Sequence, residues 1–225
     1  MLPNYFDLSS LANARESLRK AYLFYRVRRH TLIRSSRLNV LYNLVRDIDR
    51  RQVPGAVVEC GVYRGGSAAV MARAARGARD LHLFDSFQGL PPPGEKDGRQ
   101  AKARFHEGWC AGDAAEVRTL LERLHFPSSR LNIHAGWFHD TLPRVELRQI
   151  ALLHIDADWY DSVMLCLRSL YVRVARGGYV VLDDYGRWEG CTRATNDFLK
   201  ERGLAERVSV RNPPFHFFEK PSGSG

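Results

Sequence analysis

The spacing of apolar residues predicts helices and strands that alternate along most of the chain. In RLNVLYNLVRDID the apolar positions recur at helical intervals, so residues 10–50 are expected to form helices. Five short apolar runs read as strands: AVVEC, LHLFD, RLNIHAG, QIALLHIDAD and YVVLDDY. Helical patterns separate them: SAAVMARAARG, AAEVRTLLERLHF, the stretch from Asp161 to Val174, and RATNDFLKERG.

This alternation predicts an α/β domain with a mainly parallel, doubly wound sheet and helices on both faces. RVSVR and HFFEK follow each other without a helix between them, which predicts an antiparallel hairpin at the sheet edge and seven strands in all. The N-terminal helices (1–50) are expected to belong to the same domain as the main unit (51–220). A Pro/Gly-rich stretch over about 90–112 has no convincing period and is expected to be a lid, and 221–225 a flexible tail.

Composition and charge narrow the class of protein. A chain of 225 residues, 44% hydrophobic and 26% charged, suits one globular domain. No apolar run approaches the roughly 20 residues that span a bilayer, and no secretion signal is visible, so a cytoplasmic protein is expected. The net charge of +9 is concentrated between Arg15 and Arg37. A solvated helix face, a patch for an anionic substrate or a nucleic-acid footprint would each explain it, but no nucleic-acid-reading motif accompanies it.

The segment VVECGVYRGGS has the features of a nucleoside-binding turn. Open α/β sheets bind ligands beyond the carboxyl ends of their strands. The Gly-x-x-x-Gly-Gly spacing, with Glu59 two residues before Gly61, differs from the G-x-G-x-x-G of dinucleotide enzymes and favours S-adenosylmethionine (SAM). Asp85 ends LHLFD and can accept hydrogen bonds from both ribose hydroxyls, or else it caps the turn that begins at Ser86. The turn over 136–143 is placed to border the adenine.

Acidic clusters follow two of the apolar strands. Asp156 and Asp158 come after LLHI, and Asp183 and Asp184 come after VVL. Neighbouring strands lie about 4.8 Å apart, so these carboxylates are expected to converge and repel one another. With no Lys or Arg interleaved, a hard divalent cation such as Mg²⁺ would neutralise them. Helix capping would explain a single acid but not both clusters. The expected ligands are Asp156, Asp183 and Asp184, with Asp158, on the same strand face as Asp156, as base or further ligand.

Five motifs in this order and spacing resemble the macrocin O-methyltransferase family of the TylF/MycF type. The resemblance runs from about Thr31 to Phe198, and its motifs are VPGAVVECGVYRGGSA, LFDSFQGLP, GWFHDTLP, LLHIDADWYDS and GGYVVLDDY. It implies a Rossmann-like class I methyltransferase fold and a SAM- and Mg²⁺-dependent enzyme that methylates a sugar hydroxyl in natural product biosynthesis. More distantly, the same two sites are similar to those of catechol and caffeoyl-CoA O-methyltransferases.

The resemblance also assigns roles to residues of this chain. Glu59, Gly61 and Ser67 would hold the methionine end of SAM, Asp85 its ribose, and the turn from Gly136 to His139 its adenine. The full candidate cofactor-binding set is Glu59, Gly61, Tyr63, Gly65, Ser67, Asp85, Ser86, Gly136, Trp137, Phe138 and Asp156.

A metal bound to a vicinal diol would activate one hydroxyl, and Asp158 or Asp156 would remove its proton. A group of Trp109, Trp137 and Trp159 would line the acceptor pocket. The acceptor is expected to be a small molecule or glycan, and the N-terminal helices to cover it or to form a homodimer contact. The alternatives are a catechol-type acceptor, a non-catalytic basic nucleic-acid-binding domain, and a metallohydrolase that would leave Asp85 unexplained.

Overall fold

Six strands form one sheet in the computed structural model, which describes residues 11–205 and 216–221, with side chains from residue 14 onwards. In chain order the strands are β1 (Ala56–Cys60), β2 (Leu81–Asp85), β3 (Leu131–Ala135), β4 (Ile150–Ile155), β5 (Val174–Leu182) and β6 (His216–Glu219). Their order across the sheet is β3-β2-β1-β4-β5-β6, parallel throughout except for β6, which pairs antiparallel with β5. The predicted α/β class and its antiparallel C-terminal edge are confirmed.

Helices connect the strands and cover both faces of the sheet. They are α1 (Leu11–Val27), α2 (Ser35–Arg50), α3 (Gly66–Ala74), α4 (Gly98–Arg104), α5 (Ala114–Arg123), α6 (Phe138–Thr141), α7 (Tyr160–Leu170) and α8 (Glu189–Glu201). α2 packs on α3 because its apolar stripe, including Leu41, Val45 and Ile48, is fully buried against one face of the sheet. α7 and α8 pack together on the other face. None of the helices in the described ranges is long and apolar enough to cross a membrane.

Strand order reverses between β1 and β4, and this reversal positions the site. The chain proceeds from β1 outwards to β3, then returns to the centre and proceeds from β4 outwards to β6. The carboxyl ends of β1 and β4 therefore border a crevice that no crossover connection fills. β4 is buried along its whole length, as expected for a central strand of a parallel sheet.

The structure differs from the predictions of local structure in two segments, the lid and the region around the start of β5, and two further predictions lie outside the described residues. The stretch over 90–112 contains a 3₁₀ turn (Glu95–Asp97) and α4, which the sequence pattern missed because GRQAKAR places only Ala101 in the core. The helix predicted to reach Val174 ends at Leu170, and β5 begins at Val174, before the two glycines expected to turn the chain. The predicted strand RVSVR (207–211) and residues 222–225 of the predicted tail lie outside the described residues, so the seventh strand stays a prediction.

Candidate active site

A deep pocket occupies the crevice at the carboxyl ends of β1, β2 and β4. Its wall includes both acidic segments, the glycine turn and residues from the N-terminal region and the lid. Of the residues expected from the sequence, the following line it: Gly61, Tyr63, Ser67, Asp85, Ser86, Trp137, Phe138, Asp156, Asp158, Asp183 and Asp184. Glu59, Gly65 and Gly136 are not among the lining residues, although Gly136 directly precedes Trp137, which is.

Glycines allow the turn after β1 to pass close to β4. Gly61 has φ +89°, and a Cβ at this position would lie 1.8 Å from the carbonyl oxygen of Asp156. The Asp156 amide also donates to the carbonyl of Cys60, the residue before Gly61, over 2.8 Å. Gly65, at φ +82°, is the N-cap residue directly before α3. The turn therefore joins the glycine segment to the acidic segment through direct backbone contact.

Asp85 supports the same turn. One carboxylate oxygen accepts from the amides of Val62 (2.6 Å) and Tyr63 (2.9 Å), and the other accepts from the Phe87 amide (2.6 Å). A carboxylate offers about four acceptor positions, so three backbone donors leave room for one more. Asp85 is nearly buried and lines the pocket, so it can both fix the turn and accept a ligand hydroxyl.

The connection between α1 and α2 forms one wall of the pocket. His30, Thr31, Leu32 and Ile33 all line it, and no sequence motif had marked them. The Gly66 amide donates to the His30 carbonyl over 2.8 Å, and a Cβ on Gly66 would lie 2.6 Å from the Thr31 Cβ. The N-terminal helices are thus anchored directly on the start of α3.

Three carboxylates meet at the acidic end of the pocket. Asp156, Asp158 and Asp184 each offer an oxygen within 4.8 Å of the others. Asp184 is buried, and its Oδ2 has no hydrogen-bonding partner among the described residues. Burial, followed by repulsion from the neighbouring carboxylates, raises the pKa of all three, that of Asp184 to about 7. The cluster is therefore a place where positive charge would be strongly stabilised.

Asp183, one of the expected metal ligands, forms an ion pair with a basic residue. Its carboxylate pairs with Arg37 of α2 (Nη2–Oδ2, 2.9 Å), and Arg37 also donates to the Asp183 carbonyl. Arg187 lies 4.0 Å from Asp184, measured from Nη1 to Oδ1. Although no Lys or Arg is interleaved with the acidic clusters in the sequence, Arg37 reaches them from a helix that is far away along the chain.

A buried histidine continues this network beneath the pocket. His154 lies opposite Glu59 in the β1–β4 ladder, and its Nδ1 is 2.9 Å from Glu59 Oε1 while its Nε2 is 3.9 Å from Asp183 Oδ1. Burial lowers the pKa of His154, but hydrogen bonds and charges of Asp183 and Glu59 outweigh it and raise that pKa to about 9. Glu59 is thus engaged inside the sheet and does not face the pocket. In the sequence, the polar His154 within the otherwise apolar strand β4 was the feature that could have predicted this buried network.

Asp158 does not share a strand face with Asp156, contrary to the prediction. β4 ends at Ile155, and Asp158 has φ +52° at the centre of a three-residue turn that the Trp159 amide closes on the Ala157 carbonyl at 2.5 Å. Such a γ-turn with positive φ is rare and strained. The turn directs Asp158 into the pocket, which Trp188 also lines.

Tryptophans gather beside this turn. The ring centroids of Trp159 lie 5.3 Å from Trp188 and 6.1 Å from Trp109, and Trp109 lies 6.0 Å from Trp188. All three pairs meet edge to face, a favourable arrangement for aromatic rings. Of the predicted pocket-lining group of Trp109, Trp137 and Trp159, the first two line the pocket, whereas Trp159 is buried and Trp188 lines the pocket instead.

Comparisons with known proteins show which family the chain resembles. The sequence profile of a family described as Macrocin-O-methyltransferase (TylF) matches residues 12–212. The chain is similar to the 8-demethyl-8-(2,3-dimethoxy-alpha-L-rhamnosyl)-tetracenomycin-C 4'-O-methyltransferase of Streptomyces olivaceus, with 33% identity over 80% of this chain and 71% of that protein. It is 32% identical to the mycinamicin III 3''-O-methyltransferase of Micromonospora griseorubida over 80% and 74%.

A solved structure shows the same architecture. The O-methyltransferase NovP superimposes with a TM-score of 0.76 at 31% identity, covering 86% of this chain and 83% of that one.

Proposed function

Because the chain belongs to the macrocin-O-methyltransferase (TylF) family, we propose that it transfers the methyl group of SAM to a hydroxyl of a sugar in a natural product or glycan, at a vicinal diol held by a divalent metal. The single observation that carries this proposal is the backbone contact between Gly61 and Asp156, which joins the glycine turn to the acidic cluster. The contact puts a nucleoside-type turn and a cation-type site within one pocket.

The donor end of the pocket is built from the first three strands. Gly61 and Ser67 border the expected position of the methionine part, and Asp85 retains an acceptor for a ribose hydroxyl. Trp137 and Phe138 offer flat apolar faces for the adenine. Glu59 would act from beneath, through His154, rather than by touching the ligand.

The acidic end fits a hard cation. Among the described residues the cluster offers carboxylate oxygens that lie within 4.8 Å of one another, and the buried Oδ2 of Asp184 has no hydrogen-bonding partner there, which favours the binding of a cation. Oxygen donors suit Mg²⁺. We place Asp156, Asp158 and Asp184 around it, whereas Asp183 supports the site through Arg37 and His154. A bound cation of this kind would lower the pKa of a coordinated hydroxyl.

Asp158 is the residue best placed to accept the proton of the acceptor hydroxyl. Its carboxylate lines the pocket within 4.8 Å of the Asp156 and Asp184 oxygens, so it would lie beside an acceptor hydroxyl held at this cluster and would take up its proton. When bound, SAM would supply the methyl group: the deprotonated acceptor oxygen would form the new carbon–oxygen bond while the electron pair of the carbon–sulfur bond stays on sulfur, which gives S-adenosylhomocysteine.

Thermal unfolding with S-adenosylhomocysteine, with and without Mg²⁺, tests the binding part. At a ligand concentration of 100 times Kd the free energy of unfolding rises by about 2.7 kcal/mol. The Asp156→Asn variant is expected to keep this shift but to lose turnover and the Mg²⁺ effect. Asp161→Asn is the matched control, because Asp161 is an exposed acid at the start of α7, outside the cluster. An active Asp156→Asn enzyme would overturn the metal assignment.

An acceptor screen tests the substrate class. Turnover of glycosides with vicinal diols, and none of catechols, is the expected result. The reverse preference would favour the catechol-type alternative, since the tryptophans beside the pocket accommodate either ring.

A further inference from the structure

Asp158 is held in place by contacts that come from the lid segment, defined here as residues 90–112. Its strained turn needs support from the residues that follow, because a non-glycine residue at φ +52° does not persist unless its surroundings enforce it. The next residue, Trp159, is 2% exposed. The residue after it, Tyr160, is the first of α7. Both of these residues bind the lid segment.

The first contact is made by the Trp159 indole. Its Nε1 donates to the Pro91 carbonyl over 2.8 Å, while the ring is clamped between Trp109 and Trp188. Trp109 belongs to the lid segment itself, and its carbonyl accepts from the Leu90 amide over 2.8 Å, so the two ends of the segment are closed on each other. The lid segment therefore grips the side chain immediately after Asp158.

The second contact is made by Asp97, a buried carboxylate 3% exposed. Its Oδ1 accepts from the Tyr160 amide over 2.6 Å, and its Oδ2 accepts from the Gly94 amide over 2.7 Å. A Cβ on Gly190 would lie 2.0 Å from Asp97 Oδ1, so α8 begins directly against this carboxylate. Asp97 thus ties the lid segment to the start of α7, two residues beyond Asp158.

We infer that Asp97 and the Trp159 indole are positioning residues that couple the docked lid segment to the orientation of Asp158. This inference rests on the proposed function, in which Asp158 accepts the proton. With the lid segment docked, the γ-turn is supported from both Trp159 and Tyr160. When the segment detaches, both supports are lost together, and the Asp158 carboxylate leaves its place beside Asp156 and Asp184.

Three variants separate this coupling from a general loss of stability. Trp159→Phe keeps a ring in the aromatic cluster but removes the donor to Pro91. Asp97→Asn keeps one acceptor oxygen and removes the other. Asp113→Ala is the control, since Asp113 likewise accepts backbone amides, at the start of α5, but is exposed and has no link to Asp158.

We expect kcat of Trp159→Phe and Asp97→Asn to fall by roughly 10- to 100-fold, because small displacements of a reacting group have effects of this size. KM for SAM and calorimetric binding of S-adenosylhomocysteine should stay within about twofold, since the glycine turn is untouched. Limited proteolysis should cut the lid segment faster in both variants. Asp113→Ala should change none of these three readouts.

The inference is overturned if both variants loosen the lid segment in proteolysis and yet retain wild-type kcat. It is also overturned if KM and inhibitor binding deteriorate as much as kcat, because this would indicate a general structural role. An Asp158→Asn enzyme with full activity would instead refute the proposed function. The two failures are therefore distinguishable.

Discussion

Substituting Gly61 by alanine tests the contact between the glycine turn and the acidic segment. Two penalties are expected. Gly61 has φ +89°, a conformation in which a Cβ costs about 1–2 kcal/mol. In addition, its Cβ would lie 1.8 Å from the Asp156 carbonyl oxygen, so the two backbones must separate by about 1.2 Å to reach even 3.0 Å. Forced packing of this kind costs typically about 1–3 kcal/mol.

Gly203→Ala separates the two penalties. Gly203 also has a positive φ, +61°, but a Cβ there would meet nothing within 4 Å. The control should therefore lose only the first penalty, about 1–2 kcal/mol, equivalent to a fall in Tm of about 2–8 °C for a chain of this size. Gly61→Ala should lose about 2–5 kcal/mol in urea unfolding. Its kcat should fall by roughly 100-fold, because Asp156 moves with its carbonyl.

Differential scanning fluorimetry, urea titration and steady-state kinetics on both variants form the assay. If Gly61→Ala were no less stable than Gly203→Ala and kept wild-type kcat, the close approach of β1 and β4 would not join the two halves of the site. The premise of the proposed function would then be lost. If stability fell but kcat did not, Asp156 would not need its present position.

Three further substitutions test neighbouring contacts. Arg37→Met removes the partner of the buried Asp183 carboxylate and should lower the free energy of unfolding by about 3–5 kcal/mol in urea titration; a loss below about 1 kcal/mol would contradict it. Asp85→Asn replaces an oxygen that accepts backbone amides, so calorimetry should show at least roughly tenfold weaker S-adenosylhomocysteine binding, and unchanged affinity would refute the role of Asp85. Burial and the charge of His134 lower the pKa of His82 from 6.5 to about 4, so the folded state resists protonation and stability is lost as pH falls from 6.5 towards 4. His82→Gln should lose less stability over that interval than the wild type, and identical pH profiles would count against this.

The glycine turn and the two acidic segments were predictable because their signals are local. Gly61 and Gly65 are needed within one turn, Asp156 follows directly on the apolar strand β4, and Asp184 lies two residues beyond the end of β5. Parallel pairing then brings them together, since β1 and β4 are adjacent and end at the same edge. The family resemblance agreed with this arrangement, and the fold confirmed the predicted sheet.

The support of the site could not be predicted, because it depends on contacts between distant segments. Arg37 meets Asp183 across 146 positions, and the Asp97 contact with Tyr160 spans 63. Neither residue had a recognisable spacing to its partner. The γ-turn at Asp158 was not predicted for a different reason. The sequence spacing of Asp156 and Asp158 is compatible with a continuing strand, but β4 ends at Ile155 and Asp158 has a positive φ.

The N-terminal helices contribute to both ends of the pocket. The connection over 30–33 supplies wall residues, and Arg37 holds the segment that carries Asp184. Recombining the first 55 residues between relatives, as protein engineers do to transfer selectivity, would therefore exchange the pocket wall and the counter-ion of Asp183 in one step. A hybrid that inherits an unsuited residue at position 37 should lose the ion pair with Asp183 even when its new wall accepts the desired substrate.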